Sequence, residues 1–183
     1  MVSRQGAFRL PAAKLRERAA ALKLVLTDND GVLTDTGVYY SEAGEALKRF
    51  SIRDGMGVEL LRKAGIETAI ITSEVSPSVR RRAEKLQMPR TYLGIKDKRG
   101  YLETILRENN LAVHQLGYIG DDVNDLEIIE AIRGAGLTAA PADAMPAIAR
   151  SVHYVCRANA GHGAFRDFAE WILQLRTTPG RMR

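Results

Sequence analysis

Two groups of aspartates in this sequence of 183 residues each follow directly on a short apolar run. The first is Asp28-Asn29-Asp30-Gly31, after residues 22–27; the second is Gly120-Asp121-Asp122-Val123-Asn124-Asp125, after residues 116–119. Asp28 and Asp30 are two apart, so in extended chain both point to the same side. Carboxylates held that close repel one another unless a cation or a shared proton compensates. In the second group a helix N-terminus explains one capping aspartate, but not three acidic residues in five. Two acidic clusters at two strand ends imply one shared hard-cation site, most simply Mg²⁺ bound through oxygen. An EF-hand is excluded, because Gly31 comes too early and Tyr39 occupies the twelfth position. Thr72 and Ser73 close a further apolar run, and Lys98 stands at an expected helix start. Joined to the carboxylates, these residues supply what phosphoryl transfer requires. A cation and a lysine neutralise charge, a hydroxyl and backbone N–H groups hold oxygens, and a carboxylate attacks phosphorus.

The elements that must position these residues alternate between short strands and helices. Strands are expected at 22–27, 68–71, 92–93, 116–119, 137–139 and 154–156, with helices at 77–86, 98–109, from about 124, at 144–149 and at 164–175. Repeated β-α units predict an α/β fold: a Rossmann-like parallel sheet with helices on both faces. Ligands in such folds bind at the carboxyl ends of the strands, which is where both aspartate groups fall. Residues 37–50 break the rhythm with two extended pieces around Glu42-Ala43-Gly44, and predict an inserted β-hairpin. We read residues 1–20 as an extension, 21–176 as the folded domain and 177–183 as a tail, without a large cap domain. The first twenty residues and the tail after Leu175 are the segments expected to fray.

Composition narrows the partners. Lysines and arginines exceed acidic residues by 27 − 22 = 5, yet the basic residues are dispersed. The local cluster at 80–85 lacks interleaved aromatics, so nucleic-acid binding is not expected. No apolar run approaches the ~20 residues that span a bilayer, and no signal peptide is visible, so a soluble cytoplasmic protein without membrane contact is expected. Cys156 is the single cysteine and is read as a buried apolar residue; Phe168 and Trp171 are read as packing residues. Gly134-Ala135-Gly136-Leu137-Thr138-Ala139 fits a dinucleotide fingerprint by letter, but it precedes a strand instead of following one.

The series Asp28-x-Asp30-Gly-Val-Leu-Thr-Asp, Thr72, Lys98 and Gly120-Asp-Asp-x-Asn-Asp resembles the haloacid dehalogenase superfamily of phosphatases. The likeness runs over residues 22–175. Residues 53–58 (RDGMGV) and 161–166 (GHGAFR) are similar to its small capless branch, which includes the 3-deoxy-D-manno-octulosonate 8-phosphate and 2-keto-3-deoxynononate 9-phosphate phosphatases. The resemblance implies that Asp28 is the nucleophile and Asp30 the general acid/base. It implies that Asp28, the Asp30 carbonyl and Asp121 hold Mg²⁺, that Thr72 and Lys98 bind the phosphoryl group, and that Asp122 and Asp125 support the metal or Lys98 from beside. It further implies a homotetramer in which hairpins assemble and a tail reaches a neighbouring site.

The resemblance makes the substrate a phosphorylated 2-keto-3-deoxy sugar acid and leaves its length open. Thr72-Ser73-Glu74 departs from the octulosonate pattern, and Glu74, Arg82 and Lys85 match the nononate spacing, so a nine-carbon 9-phosphate is preferred. Arg82 and Lys85, three apart on a helix, either grip a carboxylate or form a solvated basic face. Arg53 follows the eight-carbon pattern instead, and His162 replaces the residue type of both groups. Two other readings stand beside this one. A receiver-type domain would carry its phospho-acceptor on a later strand. A catalytically silent oligomerisation domain would not need Asp28, Asp30, Lys98 and Asp121 together.

Overall fold

The computed structural model describes residues 8–177. Its centre is a parallel six-stranded sheet built from β1 (Leu24–Thr27), β4 (Glu67–Thr72), β5 (Arg90–Leu93), β6 (Leu116–Ile119), β7 (Leu137–Ala140) and β8 (Tyr154–Val155), in the order β5-β4-β1-β6-β7-β8. From β1 the chain builds outward through β4 and β5, then crosses back to place β6 on the other side of β1. The reversal opens a crevice at the carboxyl ends of β1 and β6, the place where ligands bind in open α/β sheets.

β1 is buried on both faces, which is why it reads as a continuous apolar run instead of an alternating one. Val25, Ile70 and Ile119 face one core, packed by Val58 and Leu61 of α2 (Ile52–Lys63), Val79 of α3 (Pro77–Lys85), and Phe165, Phe168 and Ile172 of α7 (Ala164–Arg176). Leu24, Leu26, Ile71 and Tyr118 face the other. There they meet Leu102 and Ile105 of α4 (Lys98–Asn109), Ile128, Ile129 and Ile132 of α5 (Leu126–Arg133), and Ile148 of α6 (Pro146–Ser151). The expected hairpin forms from β2 (Tyr39–Ser41) and β3 (Gly44–Leu47), outside the main sheet. Cys156 and Phe168 are buried, and Trp171 stacks on Tyr154 with ring centroids 4.7 Å apart.

Two elements differ from the expectation. Residues 12–21, expected to fray, form α1 (Ala12–Ala21), which packs against α7 and buries Arg18 and Ala19. Arg18 Nη1 donates to the carbonyls of Arg133 and Gly136 at 2.7 and 2.8 Å, and Nη2 donates to that of Gly134, which ties α1 to the end of α5. α1 ends at Ala21, and this displaces the start of β1 from residue 22 to Leu24. The second difference is α2, which sequence patterning does not announce because Gly55 and Gly57 weaken it as a helix. A Cβ at Gly57 would lie 2.9 Å from Arg166 Cα, so the glycine is what permits α2 and α7 to approach closely. The fraying expected at residues 1–7 and 178–183 lies outside the described residues.

Candidate active site

Asp28 extends β1 by one residue: its N–H donates to the Ile119 carbonyl at 3.0 Å, continuing the ladder with β6. Its side chain faces Lys98, the first residue of α4. Lys98 Nζ lies 2.9 Å from Asp28 Oδ1 and 2.6 Å from Asp125 Oδ1, and all three side chains are at most 5% exposed. Asp125 is in turn fully engaged. Its Oδ1 also accepts from the buried Tyr118 hydroxyl at 2.6 Å, and its Oδ2 accepts from the Asp121 N–H at 2.9 Å.

Gly31, at φ +87°, brings the loop after β1 so close to the loop after β6 that any side chain there would collide with the Asp121 carboxylate. Asp28, Asp121 and Asp125 thus offer oxygens that all lie within 4.8 Å of one another. Burial raises the Asp28 pKa, with Asp125 adding to the effect and Lys98 opposing it. Burial, then repulsion from Asp28, Asp125 and Asp122, pushes Asp121 up to about 8. For Lys98 burial alone would lower the pKa, but attraction to Asp28 and Asp125 outweighs it and the net shift is upward.

A divalent cation fits this arrangement. The donors are all carboxylate oxygens, as a hard ion requires, and Asp121 Oδ1 is buried without a partner among the described residues. Asp125 has both oxygens occupied by protein donors, so Asp28 and Asp121 are the carboxylates left to hold an ion, and Asp125 positions them. Asp122 does not support Lys98: its exposed carboxylate accepts from the Val123 N–H at 2.6 Å and caps the short turn that follows.

The Asp30 carboxylate stands apart from that acid cluster. Oδ1 accepts from Lys48 Nζ at 2.7 Å, Asn29 Nδ2 at 3.1 Å and Thr34 Oγ1 at 3.2 Å, whereas Oδ2 is buried without a partner among the described residues. Thr72 is buried at the end of β4, with its hydroxyl accepting from the Glu74 N–H at 3.2 Å, and Ser73 beside it is half-buried.

The residues expected to choose the substrate are less united. Arg82 is drawn into packing: its Nη2 donates to the Ser51 carbonyl at 2.8 Å and its guanidinium lies over Phe50 at 5.7 Å. Glu74 and Lys85 are exposed. Arg53 instead lines an open pocket of about 290 Å³ with His162 and two ion pairs, Arg157–Asp167 and Arg166–Glu170. Sequence reasoning missed Lys48, Thr34 and Tyr118. Tyr118 left one signal, a hydroxyl inside an otherwise apolar strand that must find a partner once buried.

No family model matches the chain. It is 36% identical to the 3-deoxy-D-manno-octulosonate 8-phosphate phosphatase of Haemophilus influenzae over 160 residues, 87% of each chain. It is 36% identical to the Yersinia pestis enzyme of the same name, covering 86% of this chain and 82% of that one. The chain belongs to the 3-deoxy-D-manno-octulosonate 8-phosphate phosphatase family. The fold agrees: a cobalt-bound Haemophilus influenzae member superposes with TM-score 0.82 at 36% identity, covering 87% of this chain and 91% of that one. A Moraxella catarrhalis member solved with magnesium, phosphate and the sugar acid superposes with TM-score 0.83 at 31% identity, covering 89% and 92%. Members of this octulosonate phosphatase family are enzymes of the haloacid dehalogenase type without a cap, and this chain is such a phosphatase.

Proposed function

We propose that this phosphatase hydrolyses 3-deoxy-D-manno-octulosonate 8-phosphate to the free sugar acid and inorganic phosphate through a phosphorylated Asp28. The observation that carries the chemistry is the pairing of Asp28 with Lys98 in a buried acid cluster at the crevice between β1 and β6. The substrate follows the relatives, whose names specify the eight-carbon ester. The nine-carbon preference read from Glu74, Arg82 and Lys85 is not retained. Arg82 is bound to the Ser51 carbonyl, and Glu74 and Lys85 stand exposed without a common partner among the described residues.

Lys98 holds Asp28 in one orientation and offsets the charge of the incoming phosphate. The Asp28 carboxylate forms a bond to phosphorus as the ester P–O bond breaks, and the sugar oxygen keeps the electron pair and takes a proton from Asp30. Water then attacks phosphorus and returns a proton to Asp30, the acyl phosphate opens, and Asp28 is regenerated with release of phosphate. Thr72, at the end of β4 next to β1, would hold a phosphoryl oxygen. Asp28, the Asp30 carbonyl and Asp121 would hold Mg²⁺, which when bound supplies charge neutralisation for the phosphoryl oxygens.

A homotetramer is part of this reading, supported by exposed apolar residues on the hairpin: Tyr39 at 59%, Tyr40 at 75% and Leu47 at 66%. So is a cytoplasmic location, since phosphorylated sugar acids are charged and do not cross a bilayer unaided. The test is phosphate release in Mg²⁺ from the eight- and nine-carbon esters. We expect kcat/KM for the eight-carbon ester to be higher by about tenfold or more. Equal rates, or a preference for nine carbons, would overturn the substrate assignment.

A further inference from the structure

Lys48 follows β3 on the hairpin, yet its side chain is only 2% exposed and lies against Asp30 of the loop after β1. Its ammonium is shared between Asp30 Oδ1 at 2.7 Å and Glu45 Oε2 at 3.3 Å. The other oxygen of Glu45 accepts from Ser76 Oγ at 3.1 Å, just ahead of α3. The hairpin is therefore fastened on two sides, to the loop after β1 and to the loop after β4. Engaged by Asp30 and Glu45 together, Lys48 is not a free cation for phosphate.

We infer that Lys48 is a positioning residue: it holds Asp30 by Oδ1 so that Oδ2 is the oxygen that exchanges the proton with the sugar ester. This rests on the mechanism proposed above. Oδ1 already takes three donors, while Oδ2 is buried with none among the described residues. A carboxyl that must act on one bond needs a fixed orientation, and a buried ammonium fixes it better than the neutral Thr34 and Asn29 donors alone. The proton on Oδ2 passes to the sugar oxygen as that oxygen leaves phosphorus and Asp28 bonds to it. In the second step the attacking water returns a proton to Oδ2 as Asp28 is released.

The assignment is tested by comparing leaving groups. A sugar alkoxide needs a proton to depart, whereas nitrophenolate is a stable anion at neutral pH and does not. In the full-length enzyme with Mg²⁺, Lys48→Met should lower the single-turnover rate of leaving-group release about 100-fold for the sugar ester, the scale of general acid catalysis, and only about threefold for p-nitrophenyl phosphate, the later attack of water on phosphorylated Asp28 being common to both esters. Lys48→Arg should recover part of the loss. Glu45→Gln, which frees one side of Lys48 without opening a hole, should show the same imbalance more weakly and serves if Lys48→Met does not fold. Equal losses on both esters, or an effect on KM alone, would overturn the role of Lys48. Wild-type turnover separates this from the substrate reading: if the nine-carbon ester is the one hydrolysed, the substrate assignment fails and the Lys48 ratio is read on that ester. A wild type that hydrolyses no phosphate ester overturns both.

Discussion

At the amino-terminal end of β7, Arg18 Nη1 meets His153 Nε2 at 3.3 Å and spends its other contacts on three backbone carbonyls that end α5. At the carboxyl ends of β1 and β6, three carboxylates converge on one another, and Lys98 reaches two of them. The first arrangement places a cation where helix carbonyls leave partial negative charge, and only Arg18 Nε lacks a partner. The second places like charges together and leaves Asp121 Oδ1 buried without a partner among the described residues, as are Asn29 Oδ1 and Asp30 Oδ2 on the loop beside it. At the first end the chain supplies most of the partners, although Thr68 Oγ1 of β4 is also buried without one among the described residues; at the second, the atoms left over are oxygens that a cation or substrate would engage. Stability and catalysis are thus separated along the strands, and substitutions at the two ends should fail in different assays.

The sharpest break is Asp28→Asn. We expect turnover to fall by about 10⁴-fold or more, as for loss of a nucleophile. Without divalent metal the same variant should be no less stable than wild type. The upward shift of the Asp28 pKa shows that its surroundings disfavour the charged form, and Asn removes that charge. Phosphate release and urea unfolding in the presence of a chelator measure the two effects. A variant that retains turnover, or unfolds far more easily, would contradict both the assigned role and the contrast between the ends.

How much of this could be read in advance follows the range of each interaction. The Asp28–Asp30 loop and the 121–125 loop are local: carboxylates two to four residues apart, directly after apolar strands, carry their meaning in their spacing. The hairpin was likewise visible, and so was the parallel α/β sheet. Lys98 was legible as a helix start and, through the resemblance, as a phosphoryl-binding lysine with Asp125 beside it; its direct pairing with Asp28 was not, because that depends on β1 and α4 packing together. Lys48 gave no sign, because its contact with Asp30 exists only once the hairpin folds back over the loop. Arg82 misled, since a basic helix face looks the same whether it awaits a carboxylate or, as here, caps the Ser51 carbonyl over an aromatic ring. Arg18, bonded to carbonyls 115 to 118 residues away, was beyond any local pattern.

At the opposite end, Arg18→Met should cost about 3 kcal/mol of stability, because carbonyls that accept from a charged donor lose it together. Turnover should stay within about threefold of wild type, since no substrate-side group changes. Urea unfolding and the same phosphate assay decide it. A loss of turnover without loss of stability would mean that the two ends are coupled, and the separation argued above would fail.

The smallest effect concerns pH. Burial first, then the positive charges of Arg18 and Arg133, push His153 down from 6.5 to about 4. The unfolded chain therefore binds a proton in the window between those values that the folded chain refuses. The contribution is complete above 6.5 and is lost as pH falls toward 4. From about pH 7 to about pH 5 the loss should approach 2 kcal/mol, and His153→Gln should remove that slope. Arg18→Met then apportions the cause. If burial dominates, the slope shrinks but persists without the guanidinium; if it disappears, Arg18 and not the closed packing around Thr138 is what keeps the imidazole neutral.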